Sequence, residues 1–325
     1  MLTNASTDQP SRGKIILALL TVYLIWGSTY LGIRFAIESI PPFTMAGARF
    51  FIAGLILYIF ARSTEGAKPT RLAWRDATII GASLIVCGNG GITFAEKYLS
   101  SGMVALLVAM VPVYMTFFAW WIGMSSRPSY KVFLALLLGI AGVFILISSH
   151  EATQANQDWA IGITIPLIGS AIWAGGSLFA KKAAKPSSSN LSIGMQMITG
   201  GALLLCLGLA FGEWRQLHFE LLSAKSVYAF LYLVFFGSII AFSAYVWLIR
   251  SCSPALAGTY AFVNPVVAVL LGWLFGREMI DLRMISGSLV ILVAVGLIIL
   301  FPIPTRQAEP PKSSTVFELG RGRNT

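Results

Sequence analysis

The sequence predicts an all-α membrane protein in which ten transmembrane helices form two inverted five-helix repeats. Hydrophobic residues make up 57% of its 325 residues and charged residues only 11%, whereas soluble domains carry about 25% charged residues. Ten apolar segments approach the roughly 20 residues that a helix needs to cross a bilayer. The predicted spans are 15–33, 43–60, 77–95, 100–122, 132–148, 160–179, 191–211, 226–248, 255–275 and 284–301.

Two motifs of the first half recur in the second half. Residues 25–34 read Ile-Trp-Gly-Ser-Thr-Tyr-Leu-Gly-Ile-Arg, and residues 172–181 begin Ile-Trp and end Ala-Lys, 147 residues later. Pro112 and Pro265 each precede a tryptophan by eight residues. An odd number of spans per repeat inverts the second copy in the bilayer, an arrangement typical of secondary transporters that open alternately to each side.

The basic residues predict the orientation of the chain. Placing the N-terminus in the cytoplasm puts 16 of the 23 lysines and arginines inside and six outside, with Arg49 within the second span. An excess of Lys and Arg on the cytoplasmic side sets orientation, so both termini are expected in the cytoplasm and the chain in the cell inner membrane. This distribution accounts for the net charge of +10 without a nucleic-acid partner.

The chain is therefore predicted to divide into four segments. Residues 1–14 form a cytoplasmic N-terminal segment, 15–148 the first repeat, 160–301 the second repeat, and 302–325 a tail rich in Pro, Ser, Arg and Lys that is predicted to be disordered. The first span lacks a small-residue cleavage site and is predicted to be an uncleaved helix rather than a signal peptide.

Arg49 is the first candidate for contact with a substrate, because a charge inside a membrane span is costly and most often functional. Its alternatives are a side chain that reaches outward to the lipid headgroups, or one held by a structural hydrogen bond. The equivalent residue in the second half is Gln196, so the polar character recurs while the charge does not.

Glu96 follows a glycine-rich run, residues 88–91, that includes Asn89. Glycines weaken a helix, and a weakened membrane helix is tolerated where it lines a cavity or packs closely against a neighbour. Glu96 is a candidate carrier of a coupling proton; the alternative is an interfacial residue paired with Lys97. The run has no sequence counterpart before Arg250.

Pro112 and Pro265 each remove one helix hydrogen bond, and both are candidate hinges because they occupy matching places in the two halves. Tyr260 and Asn264 supply polar groups near the second proline. Three aromatic residues are candidate cavity walls, with packing against lipid as the alternative: Trp26, Tyr30 and Trp173.

No catalytic, cofactor or metal site is predicted. The sequence has no G-x-x-x-x-G-K-[ST] segment for nucleotide hydrolysis. Asp76, Asp158 and Asp281 fall in predicted loops, which argues against an intramembrane aspartyl protease. His150 and His218 fall in predicted outer loops, which leaves no metal cluster or Ser–His pair in the spans.

In these features the chain resembles the EamA-type drug/metabolite transporters, and most closely their bacterial inner-membrane exporter branch. The resemblance covers about residues 15–301 and includes Arg49 and the following motifs: Trp26-Gly27-Ser28, Ser253-Pro254-Ala255, Asn264-Pro265-Val266 and Gly276-Arg277-Glu278. It implies secondary transport, often export, of amino acids, metabolites or amphipathic toxic compounds. Phosphorylated substrates, which other branches carry with basic cavity residues, fit poorly with one intramembrane arginine.

The predicted function is export of small organic metabolites, amino acids or drug-like compounds by alternating access, with the proton as candidate coupling ion. An uncoupled facilitator or importer of the same fold is the alternative, and a polytopic lipid enzyme is disfavoured by the missing catalytic groups. The expected partners are a small-molecule substrate and the lipid bilayer, for a chain that acts as a monomer or homodimer.

Overall fold

The structure, a computed structural model, describes residues 11–65, 68–127, 129–147, 157–186, 188–251 and 260–301. The predicted tail, residues 302–325, lies outside the described residues, as do residues 1–10 of the N-terminal segment and the Ser253-Pro254-Ala255 motif. The described part of the chain is helical and contains no β-strand, so the all-α prediction is confirmed there.

The described residues form ten longer helical segments, numbered here in chain order, and two short 3₁₀ helices, Glu213–Arg215 and Phe219–Leu221. In the first half they are α1 (Arg12–Ala36), α2 (Pro42–Glu65), α3 (Arg71–Gly81, Ala82–Gly90 and Gly91–Ala95 in succession), α4 (Ser101–Val108 and Val111–Trp121) and α5 (Tyr130–Ile147). In the second half they are α6 (Gln157–Lys182), α7 (Ser189–Ala210), α8 (Ala224–Tyr232, Leu233–Ile240 and Ala241–Ser251 in succession), α9 (Tyr260–Gly276) and α10 (Leu282–Leu300).

Seven of these segments, α1–α4 and α6–α8, are long and apolar enough to cross a membrane, and α5, α9 and α10 contain shorter apolar helices. A chain with this many apolar helices is a multi-pass membrane protein. Several helices begin before the predicted spans, because polar first turns are helical too. Asp76 lies in the second turn of α3 and Asp158 in the first turn of α6, rather than in loops, whereas Asp281 precedes α10 as predicted.

The two halves are interleaved in space. Helix α2 packs along α7, and α5 along α10. Helix α1 packs against α8 and α9, while α6 packs against α3 and α4. These contacts are equivalent in the two halves. The contacts of α1 with α8 and α9 correspond to those of α6 with α3 and α4, and the pairs α2–α7 and α5–α10 each join two equivalent helices.

Small residues allow close contact between α2 and α7. A Cβ atom on Gly54 would stand 2.6 Å from the backbone nitrogen of Ile198, and one on Gly201 would stand 2.5 Å from that of Phe51. Since Cβ atoms do not approach backbone this closely, glycine is required at both places. Small residues bring membrane helices together in this way.

The two candidate hinge prolines differ in their effect on the helix. Helix α4 is interrupted at residues 109–110, and Pro112 lies in the first turn of its second piece. Helix α9 continues through Pro265, so the two candidate hinges lie in different local structures. A membrane helix accommodates the lost hydrogen bond where neighbouring helices pack around it.

Both α3 and α8 contain a π-helical stretch, Ala82–Gly90 and Leu233–Ile240. π-Helical turns are rare and are frequent at functional sites. The weakened helix therefore does recur in the second half, although the glycine-rich sequence does not. The two stretches share a Gly-polar pair, Gly88-Asn89 and Gly237-Ser238, rather than a run of glycines.

Candidate functional site

A cavity with about 690 Å³ of empty space lies among α1, α2, α3, α4, α6, α8 and α9. The centre of a water-sized sphere can occupy about 60 Å³ of it, so the space is narrow. Seven of the eight predicted substrate contacts line it: Trp26, Tyr30, Arg49, Asn89, Trp173, Tyr260 and Asn264. Neither half forms this cavity alone.

Aromatic rings form one wall of the cavity around Trp26. Its ring centroid lies 4.8 Å from that of Tyr245, 5.3 Å from Tyr260, 6.0 Å from Phe242 and 6.5 Å from Trp173. Edge-to-face and tilted pairs at these distances are favourable. Trp26 and Trp173 therefore face the protein interior, and the alternative of packing against lipid is wrong for both.

Arg49 also lines the cavity, and 2% of it is exposed. Its Nε donates to Ser238 Oγ at 2.8 Å, and its guanidinium carbon lies 4.6 Å from the centroid of the Phe50 ring. Its Nη1 is buried without a hydrogen-bond partner among the described residues. The side chain thus makes a structural hydrogen bond and also lines the cavity, and it does not reach the headgroups.

Gly237 makes room for this guanidinium. A Cβ atom at this position would lie 2.8 Å from Arg49 Nη2 and 2.9 Å from Thr29 Cγ2. The Gly237 carbonyl also accepts a hydrogen bond from Trp26 Nε1 at 3.2 Å. The π-helical stretch of α8 therefore fixes both the arginine and one tryptophan of the cavity.

The corresponding position in α3 serves the other tryptophan. A Cβ atom on Gly88 would stand 2.4 Å from Trp173 Cε3, so the indole lies directly on the π-helical backbone. Gly88-Asn89 and Gly237-Ser238 are equivalent pairs, 149 residues apart. This Gly-polar pair is the sequence signal that would have revealed Gly237 and Ser238.

The remaining polar lining residues support the backbone. Asn89 Nδ2 donates to the carbonyl of Leu84, five residues earlier in the π-helical stretch, at 3.2 Å. The Asn264 side-chain nitrogen donates to the carbonyls of Tyr23 and Tyr260 at 3.3 Å, in the amide orientation that suits its neighbours. Asn264 therefore ties α9 to α1.

Gln196, the counterpart of Arg49, does not line the cavity. Its Nε2 donates to Ser192 Oγ, one turn earlier in α7, at 3.2 Å, and its backbone carbonyl packs against Gly81 of α3. The Gln196 side chain therefore binds within its own helix, whereas Arg49 binds Ser238 of the other half.

Glu96 lies between α3 and α4, fully buried and beside the cavity rather than in its lining. Neither carboxyl oxygen has a hydrogen-bond partner among the described residues. Lys97 is exposed, and its Nζ lies 5.5 Å from the ring centroid of Phe94 and 5.9 Å from that of Tyr98. The alternative of a local Glu96–Lys97 pair is therefore wrong.

Burial and three charged side chains act on the Glu96 carboxyl. Burial raises its pKa well above the usual range, and the nearby Glu278 raises it further, while Arg34 and Arg49 oppose the shift. Arg34 Nη1 donates to the backbone carbonyl of Glu96, and Tyr30 lies close enough to be affected by the carboxylate charge. The group is thus prone to hold a proton.

Two further carboxylates, which sequence reasoning missed, join the halves at helix N-termini. Glu278 accepts from the backbone nitrogens of Ser101 (2.8 Å) and Gly102 (3.2 Å) in α4. The turn that places it includes Arg277 with a φ of 54°. Glu213 accepts from the backbone nitrogens of Phe43 and Thr44 at the start of α2. Carboxylates are stabilising at such termini.

The family model for the EamA-like transporter family matches residues 13–148 and again residues 160–300. The chain belongs to this family. It is 39% identical over 265 residues, 80% of this chain and 82% of the relative, to the uncharacterized inner membrane transporter YedA of Escherichia coli (strain K12). EamA-like membership confirms the resemblance drawn from the sequence and makes the chain a membrane transporter.

More distant EamA-like relatives include the uncharacterized transporter YoaV of Bacillus subtilis (strain 168), 24% identical over 86% of this chain and 94% of its own. Protein PecM of Dickeya dadantii (strain 3937) is 25% identical over 84% of this chain and 90% of its own. A solved crystal structure with a TM-score of 0.60 and 18% identity covers 89% of this chain and 98% of its own, and this likeness shows the fold alone.

Proposed function

We propose that this EamA-like transporter exports small organic metabolites, amino acids or drug-like compounds across the cell inner membrane by alternating access. The observation that carries the proposal is the cavity to which both halves contribute, with Arg49 from one and Trp173 from the other. A site between two halves that rock against each other is reached from one side of the membrane at a time.

The proposed mechanism includes ten membrane helices in two inverted repeats, with residues 15–148 and 160–301 as the halves. The exchange symmetry of the helix contacts supports this arrangement, and so do the two separate matches to one family model. At the cavity, the contact of Trp26 with Gly237 is equivalent to that of Trp173 with Gly88, which also supports two repeats. The distribution of basic residues supports cytoplasmic termini.

A comparison of strains tests export. Cells that overexpress the chain are expected to excrete more of its substrate, or to tolerate a toxic substrate better, than cells that lack it. Equal excretion profiles and equal tolerance across a broad panel of metabolites and toxic compounds would contradict the proposal. Greater accumulation inside the overexpressing cells would indicate import instead.

Proton coupling through Glu96 is the proposed source of energy, supported by its burial and its unpartnered carboxyl oxygens. In proteoliposomes loaded with a compound from the strain comparison, an imposed pH gradient should drive flux. Glu96→Gln should abolish the response to the gradient while flux down a substrate gradient continues, because the glutamine cannot release a proton.

The matched control is Glu220→Gln, which makes the same change at an exposed residue and should leave the response intact. Full pH-driven flux in Glu96→Gln would eliminate Glu96 as the carrier. Flux that runs equally well in both directions and ignores the gradient in the unaltered chain would indicate a facilitator.

A further inference from the structure

The geometry points to a carboxylate-binding subsite at Arg49 and Trp173, which selects monoanionic substrates that carry a flat apolar group. This inference rests on the proposed function, since it names the substrate class of that cavity. It is carried by two buried hydrogen-bond donors, one of them charged, that have no acceptor in the described part of the chain.

The guanidinium of Arg49 is an incompletely compensated charge. It is 2% exposed, and neither of the ion pairs found within the described residues, Arg75–Asp76 and Lys225–Glu38, involves it. Ser238 occupies Nε and leaves Nη1 unpartnered at a residue of the cavity lining. Buried charges are normally paired. An anion bound in the cavity would supply the hydrogen-bond acceptor and the ion-pair partner that Arg49 does not have among the described residues.

Trp173 offers the second donor. It is 8% exposed, lines the same cavity, and its Nε1 has no partner in the part of the chain that the structure describes. Its counterpart Trp26 donates to the Gly237 carbonyl. One of the two equivalent indoles thus has its acceptor within the protein, whereas the other has none in the described part of the chain.

The charge of the lining determines which ions fit. Arg49 is the only Lys, Arg, Asp or Glu among the residues that line the cavity. A cation would be repelled by it, and a dianion would bring one uncompensated negative charge into a low-dielectric site. A monocarboxylate matches both the charge and the hydrogen-bond donors, since its oxygens only accept.

The rest of the substrate must suit an apolar and narrow space. The rings of Trp26, Phe50, Trp173, Phe242 and Tyr260 all contribute to the lining. Aromatic walls bind flat apolar groups by stacking and edge contacts. The subsite therefore favours a carboxylate with an attached ring or other planar apolar body over a small hydrophilic acid.

Three probes of nearly equal size test the inference: phenylacetate, its neutral analogue phenylacetamide, and the cation phenethylamine. Binding to the full chain in lipid nanodiscs is measured by calorimetry at neutral pH. Phenylacetate is expected to bind about tenfold to hundredfold more tightly than phenylacetamide, the range that hydrogen bonds to a charged group provide. Phenethylamine is expected to bind most weakly.

Substitutions then locate the subsite. Arg49→Gln should remove the preference for phenylacetate over phenylacetamide, while Arg71→Gln, the same change at an exposed residue at the start of α3, should preserve it. Trp173→Phe keeps the ring and removes the donor, so it should weaken phenylacetate binding severalfold. Trp74→Phe, at a tryptophan outside the cavity, is its matched control.

Equal affinity for phenylacetate and phenylacetamide, a preference for phenethylamine, or binding of none of the probes would overturn the inference. A preference for phenylacetate that survives in a folded Arg49→Gln variant would overturn it too. If Arg49→Gln does not fold, the comparison of the three probes in the unaltered chain and the Trp173→Phe result still decide. Export of neutral or cationic compounds in the strain comparison would refute the substrate class and leave the proposed function standing.

Discussion

Replacing Glu213 by glutamine tests whether the carboxylate bridges between the halves stabilise the protein. Glu213 is 5% exposed and belongs to the connection between α7 and α8. Its Oε1 accepts from the Phe43 nitrogen at 3.1 Å, and its Oε2 accepts from the Thr44 nitrogen at 2.7 Å and from the Thr44 hydroxyl at 2.8 Å. All three donors belong to the start of α2, in the other half.

The expected cost follows from these three hydrogen bonds. A glutamine in the better of its two orientations keeps the two bonds to Thr44 and turns its amide hydrogens toward the Phe43 nitrogen, which has no acceptor left. A hydrogen bond to a charged group contributes about 1.5–3 kcal/mol and a neutral one about 0.5–1.5 kcal/mol. One lost bond, worth about 1.5–3 kcal/mol, and two bonds weakened by about 1–1.5 kcal/mol each therefore lower the free energy of unfolding by about 3.5–6 kcal/mol.

Thermal unfolding of the purified full chain in one detergent measures this change. Glu213→Gln is expected to lower the apparent Tm by several degrees. Glu220→Gln, which removes the same charge from an exposed position in the same connection, is expected to leave it unchanged. An apparent Tm for Glu213→Gln equal to that of the control would refute the reasoning, because the bridge would then contribute no more than a solvated carboxylate.

The other predictions use the same assay. Gly88→Ala should be less stable than Gly175→Ala by about 1–3 kcal/mol, because the new methyl group meets Trp173 in the first variant and nothing within 4 Å in the second; equal stability would contradict the close contact. Asp76→Asn should lower stability by about 1–2 kcal/mol, since the Asp76 carboxylate accepts from the Ala184 nitrogen at 2.8 Å. An unchanged apparent Tm would show that this bond is dispensable.

The features that repeat along the chain could be predicted from sequence. Apolar runs long enough to cross a bilayer predicted helices at the places where the structure has them, because such runs have one stable backbone arrangement in lipid. The matching positions of Trp26 and Trp173 predicted two cavity walls. Helix ends were predicted less well, since the polar N-terminal turns that contain Asp76 and Asp158 carry no hydropathy signal.

Interactions between distant residues were beyond reach of the sequence. Nothing in the local sequence of Glu213 or Glu278 indicates that each carboxylate reaches a helix of the other half. Lys97 follows Glu96 directly, which suggests a pair, yet the backbone turn at the end of α3 sends the lysine outward and the glutamate inward. Partners that depend on how helices pack are visible only once the packing is known.

The two halves contribute equivalent backbone frameworks to the cavity, and different side chains stand beside them. Gly88-Asn89 and Gly237-Ser238 shape the π-helical stretches of α3 and α8 alike. Beside Ser238 stands the charged Arg49, whereas its counterpart Gln196 turns to its own helix. In a perfectly symmetric cavity, both halves would contribute the same electrostatic field at a bound ion. Because Arg49 is the only charged residue among the described residues that line the cavity, an anion bound there would contact the two halves unequally. Under the proposed alternating access, the binding energy of that anion would bias the equilibrium between the inward-open and outward-open arrangements.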